Sequence, residues 1–139
     1  MRTDLIKSKL KEIDESINLV RENLPQNYDD FLKMGLKKDG IYKRIEAAIQ
    51  EIISICSIIN ADLELGIPAN KEDIIIYLVE ENIITEELGK KIKELKGFRN
   101  FLVHRYGKIE DRIAFNDIKK GLDDFIHFKK EIKTLLLNY

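Results

Sequence analysis

Apolar side chains recur every three or four positions along most of this chain. The spacing is clearest in the first segment, at Ile6, Leu10, Ile13, Ile17, Val20 and Leu24. It describes one stripe along an α-helix, which Pro25 closes. The same spacing returns from about Ile41 to Leu65, where Gly66 and Pro68 follow as a helix stop. The pattern therefore predicts helices rather than strands.

Three further helices are expected. The first is a short amphipathic helix at 71–81; a strand at 74–77 is an alternative interpretation, but no second strand is available to pair with it. The next begins after Thr85, a good N-cap, and reaches about Tyr106. The last runs from about Asn116 to the end of the chain.

Between the first two long helices lies the stretch Asp29–Gly40, which ends in the turn signal Lys38-Asp39-Gly40. The sequence shows neither an internal repeat nor a linker that would divide it. A length of 139 residues suits one domain. We therefore predict a single all-α domain over residues 1–139, an up-and-down bundle of four to five helices.

Composition excludes several classes of protein. The 24 basic and 25 acidic residues give a net charge of −1, too little for binding nucleic acid by bulk charge. The single cysteine, Cys56, excludes an intramolecular disulfide and a cysteine-based zinc finger, and with only two histidines we expect no metal site. No apolar run approaches the ~20 residues that span a bilayer, and the N-terminus has no signal-peptide core. A cytoplasmic protein without a membrane partner is the default expectation.

Local charge differs from the total. Between Lys90 and Arg112 there are eight basic and three acidic residues, a surplus of five positive charges on a negative background. The acidic pairs elsewhere, such as those at 80–81, 86–87 and 123–124, are expected to face solvent. No phosphate-binding glycine loop or nucleophile elbow is present.

The basic window surrounds an unusual polar segment, Gly97–Gly107. Asn100 and His104 are four positions apart and share a helix face, whereas Arg99 falls on the apolar stripe. Arg99 and His104 lie roughly 140° apart around a straight helix, so acting together requires a long reach, a bend or a second chain. On the residues alone, this is a helical domain with a candidate site for an anionic ligand, and a histidine in a helix is more often a capping or packing residue.

The pattern Arg99-Asn100-x-x-x-His104-x-Tyr106 resembles the Arg-x4–6-His-x-Tyr motif of HEPN domains, in the branch of the HepT-like ribonuclease toxins. Other parts of the chain resemble that branch in order and spacing; they are Arg44–Gln50, Ile58–Asn60, Glu64–Pro68, Thr85–Leu88 and Ile109–Asp111. The resemblance covers roughly residues 40 to 135. Many relatives have an acidic residue in the core helix where this chain has Ser57.

The resemblance implies a homodimer that brings two motifs into one cleft. It implies a metal-independent endoribonuclease without a cofactor, the toxin of a two-gene system, with Arg99 and His104 catalytic and Asn100 supporting them. The partner implied is a minimal nucleotidyltransferase antitoxin that transfers AMP to Tyr106. Contacts with the RNA backbone are expected from nearby cations; they are Lys96, Arg105 and Lys108. The alternative is a catalytically silent helical module that binds the nucleotidyltransferase.

Overall fold

The computed structural model describes residues 1–104 and 110–139, which form six α-helices. In chain order these are α1 (Thr3–Asn23), α2 (Tyr28–Leu32), α3 (Leu36–Asp62), α4 (Glu72–Glu80), α5 (Glu86–His104) and α6 (Asp111–Leu136). Four are long, α2 and α4 are short, and the described ranges contain no strand. The all-α prediction is confirmed, and the strand alternative at 74–77 is wrong because these residues lie inside α4.

The central element is α3, which packs against α1, α4 and α5, while α6 packs against α1, α2 and α5. The predicted stripe of α1 is buried, from Ile6 to Val20. On α3, Ile49, Ile52 and Cys56 are almost fully inaccessible, as expected of a core helix. Burial of these apolar stripes is the main force that holds the helices together.

The start of α3 differs from the prediction. The helix begins at Leu36, so the predicted turn at 38–40 lies inside it. The break falls instead at Gly35, whose φ of +61° is a backbone conformation that other residues rarely adopt. Gly35 and Gly40 are five positions apart, and only the backbone angles of the folded chain show that the chain turns at Gly35.

The start of α6 also differs, since the helix begins at Asp111 rather than near Asn116. The Asp111 carboxylate accepts a hydrogen bond from the Tyr42 hydroxyl at 2.5 Å and pairs with the Lys38 ammonium at 2.8 Å. Both partners lie on α3. This contact anchors the first turn of α6, and it joins residues about 70 positions apart, so no local signal marks it.

A polar network joins the start of α5 to α6. Glu131 accepts hydrogen bonds from the backbone N–H and the hydroxyl of Thr85, and from His127 Nε2. The Lys91 ammonium donates to His127 Nδ1 and lies 3.7 Å from Asp124. Burial raises the pKa of the Glu131 carboxyl, but the hydrogen bonds from Thr85 and His127 outweigh this effect, so the pKa is lowered overall.

Because the Asp124 side chain is only 19% exposed, the expectation that the whole 123–124 pair faces solvent is wrong.

Within the described part of the chain, no helix is long and apolar enough to cross a membrane.

Candidate functional site at the end of α5

Helix α5 carries four of the predicted site residues on one continuous element: Lys96, Arg99, Asn100 and His104. Thr85 caps its start as predicted, since its hydroxyl accepts a hydrogen bond from the Leu88 N–H at 3.2 Å. The helix continues unbroken through Arg99 and Asn100 to His104. Arg99 and His104 therefore keep the angular separation of a regular helix, and one chain does not bring them to the same face.

Arg99 turns toward α3 and α4. It is partly buried, and its Nε is fully buried without a hydrogen-bond partner among the described residues. A buried N–H group that loses its hydrogen bonds to water and gains no other partner costs about 1–3 kcal/mol.

Arg99 borders a pocket of about 340 Å³ between α3, α4 and α5. The predicted residues Lys96 and Asn100 line it as well, as do Lys71, which immediately precedes α4, and Ser57 of α3. His104 is exposed at the end of α5 and does not line this pocket. The structure therefore brings together Arg99, Asn100 and Lys96, and it leaves His104 apart from them.

Ser57, at which the resemblance leads us to expect an acidic residue, contributes no charge here. The Ser57 hydroxyl donates a hydrogen bond to the Ile53 carbonyl one turn earlier, at 3.1 Å. The neighbouring Cys56 thiol is buried, which raises its pKa to about 12 against a smaller opposing effect of the Lys96 charge. Neither side chain supplies a negative charge to Arg99.

Two aromatic residues of the Gly97–Gly107 segment, Phe98 and Phe101, pack inward. Their rings stack with centroids 6.2 Å apart and lie partly buried against the hydrophobic core. Both rings therefore contribute to packing within the fold.

Three predicted residues lie outside the described part of the chain. They are the modification site Tyr106 and the expected RNA contacts Arg105 and Lys108. Among residues 1–104 and 110–139, no cluster of three or more His, Cys, Asp or Glu side chains is arranged to hold a metal ion.

Sequence reasoning missed Lys71, which lies in a polar stretch before α4 and about 28 positions from Arg99. Nothing in its local pattern distinguishes it from the other exposed lysines. It becomes a neighbour of the motif only because α4 packs against both α3 and α5.

A helical bundle that carries this motif at the end of one helix is a HEPN domain. The fold matches that of the tri-AMPylated Shewanella oneidensis HEPN toxin in complex with MNT antitoxin, with a TM-score of 0.83 and 27% identity. The match covers 94% of this chain and 98% of that chain. The sequence also matches the family described as Ribonuclease HepT-like over residues 13–132. The chain belongs to the HepT-like ribonuclease family.

Two characterised or named relatives extend the comparison. The chain is 29% identical to the mRNA nuclease HepT of Shewanella oneidensis, over 94% of this chain and 98% of that protein. It is 24% identical to a putative RNase of Archaeoglobus fulgidus, over 100% of this chain and 90% of that one. A further solved structure, the cytosolic protein YutE of Bacillus subtilis, shares the fold with a TM-score of 0.82 at 19% identity, over 98% of this chain and 91% of that one.

Proposed function

We propose that this protein is an endoribonuclease toxin of a two-gene toxin–antitoxin system, acting in the cytoplasm without a metal ion. The observation that carries the proposal is that one helix, α5, holds both Arg99 and His104. The Arg99 Nε is buried there without a hydrogen-bond partner among the described residues. Family membership and the nuclease names of the relatives support it.

The chemistry follows from the residues. The 2′-hydroxyl of RNA attacks the adjacent phosphorus, its proton passes to a base, and the leaving 5′-oxygen takes up a proton. An imidazole titrates near neutral pH, so His104 suits this proton transfer. The Arg99 guanidinium stabilises the charge that develops on the phosphate oxygens. Asn100, one turn before His104, orients the ring or binds a phosphate oxygen.

The first test measures RNA cleavage in EDTA by the wild type, His104→Ala and Arg99→Ala. We expect losses of about 10²–10⁴-fold for the histidine variant and about 10²–10³-fold for the arginine variant. The matched control is His127→Ala, which changes the chain's other histidine, bound to Glu131 on α6. Equal cleavage by all variants, or none by the wild type, would contradict the proposal.

We further propose that the active form is a homodimer in which Arg99 of one subunit serves His104 of the other. The separation of the two side chains around α5 supports this arrangement. Mixing Arg99→Ala with His104→Ala tests it, because one heterodimer site then holds both intact residues. Random exchange between subunits gives about a quarter of wild-type activity if the site is shared, and none if each chain forms its own.

The proposed antitoxin is a minimal nucleotidyltransferase that transfers AMP to Tyr106. Support comes from the solved toxin of Shewanella oneidensis, which is described as tri-AMPylated and in complex with MNT antitoxin. Mass spectrometry after co-expression with the partner is expected to find the AMP adduct on Tyr106 and none at this position in Tyr106→Phe. Adducts confined to other residues would refute the assignment.

The second candidate, a catalytically silent module that binds the nucleotidyltransferase, is favoured by one observation. The Ser57 hydroxyl, where the resemblance leads us to expect an acid, bonds to its own helix rather than to Arg99. This candidate predicts a tight complex with the partner, no RNA cleavage and no toxicity on expression.

A further inference from the structure

The pocket beside Arg99 has an excess of positive charge that the fold does not balance. Among the described residues, its lining includes Lys71, Lys96 and Arg99 but only one acid, Glu72. In the described part of the chain, none of the three cations belongs to an ion pair. Like charges held around one cavity repel each other, and a bound anion removes that repulsion.

Part of the lining of this pocket is apolar. Ile53, Cys56 and Ile75 belong to its lining, and the last two are buried. Charge–charge interactions are stronger at such a site than in open water, because less solvent screens them. Arg99 brings its guanidinium charge to this lining, while its Nε is itself buried without a hydrogen-bond partner among the described residues.

The volume and the polarity together indicate a phosphate ester rather than a small free anion. A single phosphate group fills only part of about 340 Å³. The apolar lining from α3 and α4 suits an attached sugar, whereas the three cations suit the charged oxygens.

We infer that this pocket holds one phosphate of the bound RNA, and that Lys71 is a ligand of that phosphate together with Lys96 and Arg99. The inference rests on the proposed ribonuclease function and adds to it a phosphate-binding residue at the start of α4, outside the motif. Lys71 then joins the site only in the folded chain, through the packing of α4 on α5.

The experiment measures binding of single-stranded RNA in the His104→Ala background, which keeps the RNA intact. The RNA is one that the wild type cleaves, and a neutral methylphosphonate replaces each phosphate in turn. Where the phosphate meets the pocket, the replacement weakens binding. It has a smaller effect once Lys71, Lys96 or Arg99 is changed to alanine, because one of the three contacts to that phosphate is already lost.

All three variants are expected to couple to the same single phosphate. Each lysine variant is also expected to weaken binding several-fold and to reduce the slope of log affinity against log salt by less than the value of about 0.7 that one whole phosphate contributes. The matched control is Lys93→Ala, an exposed lysine of α5 that does not line the pocket, which should not couple to that position.

Absence of coupling for Lys71, or coupling of the three variants to different phosphates, overturns the inference while leaving the ribonuclease function intact. If the wild type neither cleaves nor binds RNA, the proposed function fails first, and this inference with it. Circular dichroism of each variant distinguishes a lost contact from a lost fold.

Discussion

Replacing Tyr42 with phenylalanine tests whether the contact between α3 and α6 stabilises the fold. The Tyr42 hydroxyl donates to Asp111 at the first residue of α6, and Asp111 also pairs with Lys38. The aromatic ring stays in place in the variant, since it packs edge-on against Phe31 with centroids 5.8 Å apart. The substitution therefore removes one hydrogen bond and little packing.

The magnitude follows from the environment of the bond. A hydrogen bond to a charged group contributes about 1.5–3 kcal/mol. The Asp111 side chain is 20% exposed and keeps Lys38, so water and the ammonium replace part of the lost contact. We expect Tyr42→Phe to lower the free energy of unfolding by about 1.5 kcal/mol and the melting temperature by about 4–6 °C.

The pH dependence has a definite sign. Burial, followed by the hydrogen bond to Asp111, raises the pKa of Tyr42 well above its usual range. A raised pKa in the folded state means that the stabilisation is fully present below the ordinary tyrosine pKa of about 10 and declines as the pH rises beyond it. The difference between wild type and Tyr42→Phe should therefore be constant from neutral to mildly alkaline pH.

The assay is urea unfolding followed by circular dichroism, with Tyr139→Phe as the matched control because Tyr139 is 57% exposed at the C-terminus. A double-mutant cycle with Asp111→Asn should give a coupling energy of about 1 kcal/mol. Equal unfolding midpoints for wild type and Tyr42→Phe, or a coupling energy of zero, would show that the contact does not stabilise the start of α6.

Three other substitutions or treatments test the packing and the polar network. Glu131→Gln should lower the free energy of unfolding by about 1 kcal/mol at neutral pH. Because the pKa of this carboxyl is lowered in the fold, the difference in stability from the wild type should vanish as the pH falls through that pKa. Urea titrations at several pH values measure this difference. Gly89→Ala places a Cβ 2.8 Å from a valine methyl of α4 and should destabilise the fold by about 1–3 kcal/mol. Gly97→Ala on the same helix meets open space and should stabilise the fold by about 0.5–1 kcal/mol. The reverse order of the two variants in thermal melts would refute this. Cys56, buried and with its pKa raised to about 12, should resist iodoacetamide in the native protein and react in urea, as mass spectrometry can show.

Most of the helices could be predicted because each buries a stripe that recurs with the period of the helix itself. The stripe of α1 and the core character of α3 are visible in the spacing of isoleucine and leucine alone. The errors are at helix starts. Gly40 carries a turn signal but lies inside α3, and Asp111 begins α6 through contacts with residues of another helix. Local patterns do not contain such distant contacts.

The motif itself was visible in the sequence because its residues lie within a few positions on one helix. Charge counted along the chain also located the basic region around Arg99, which the net charge of the whole chain conceals. These properties depend only on neighbouring residues, so the sequence by itself determined the all-helical class, the family and the helix that carries Arg99 and His104.

Only the tertiary structure decided which residues surround Arg99. The packing of α3, α4 and α5 places Lys71 and Ser57 at its pocket, and it leaves the guanidinium Nε buried without a partner. The physical reason is that a helix determines the order of side chains along its own surface, whereas a pocket is formed by surfaces of separate helices. Which surfaces meet is set by the burial of all the apolar stripes together, and not by any one segment.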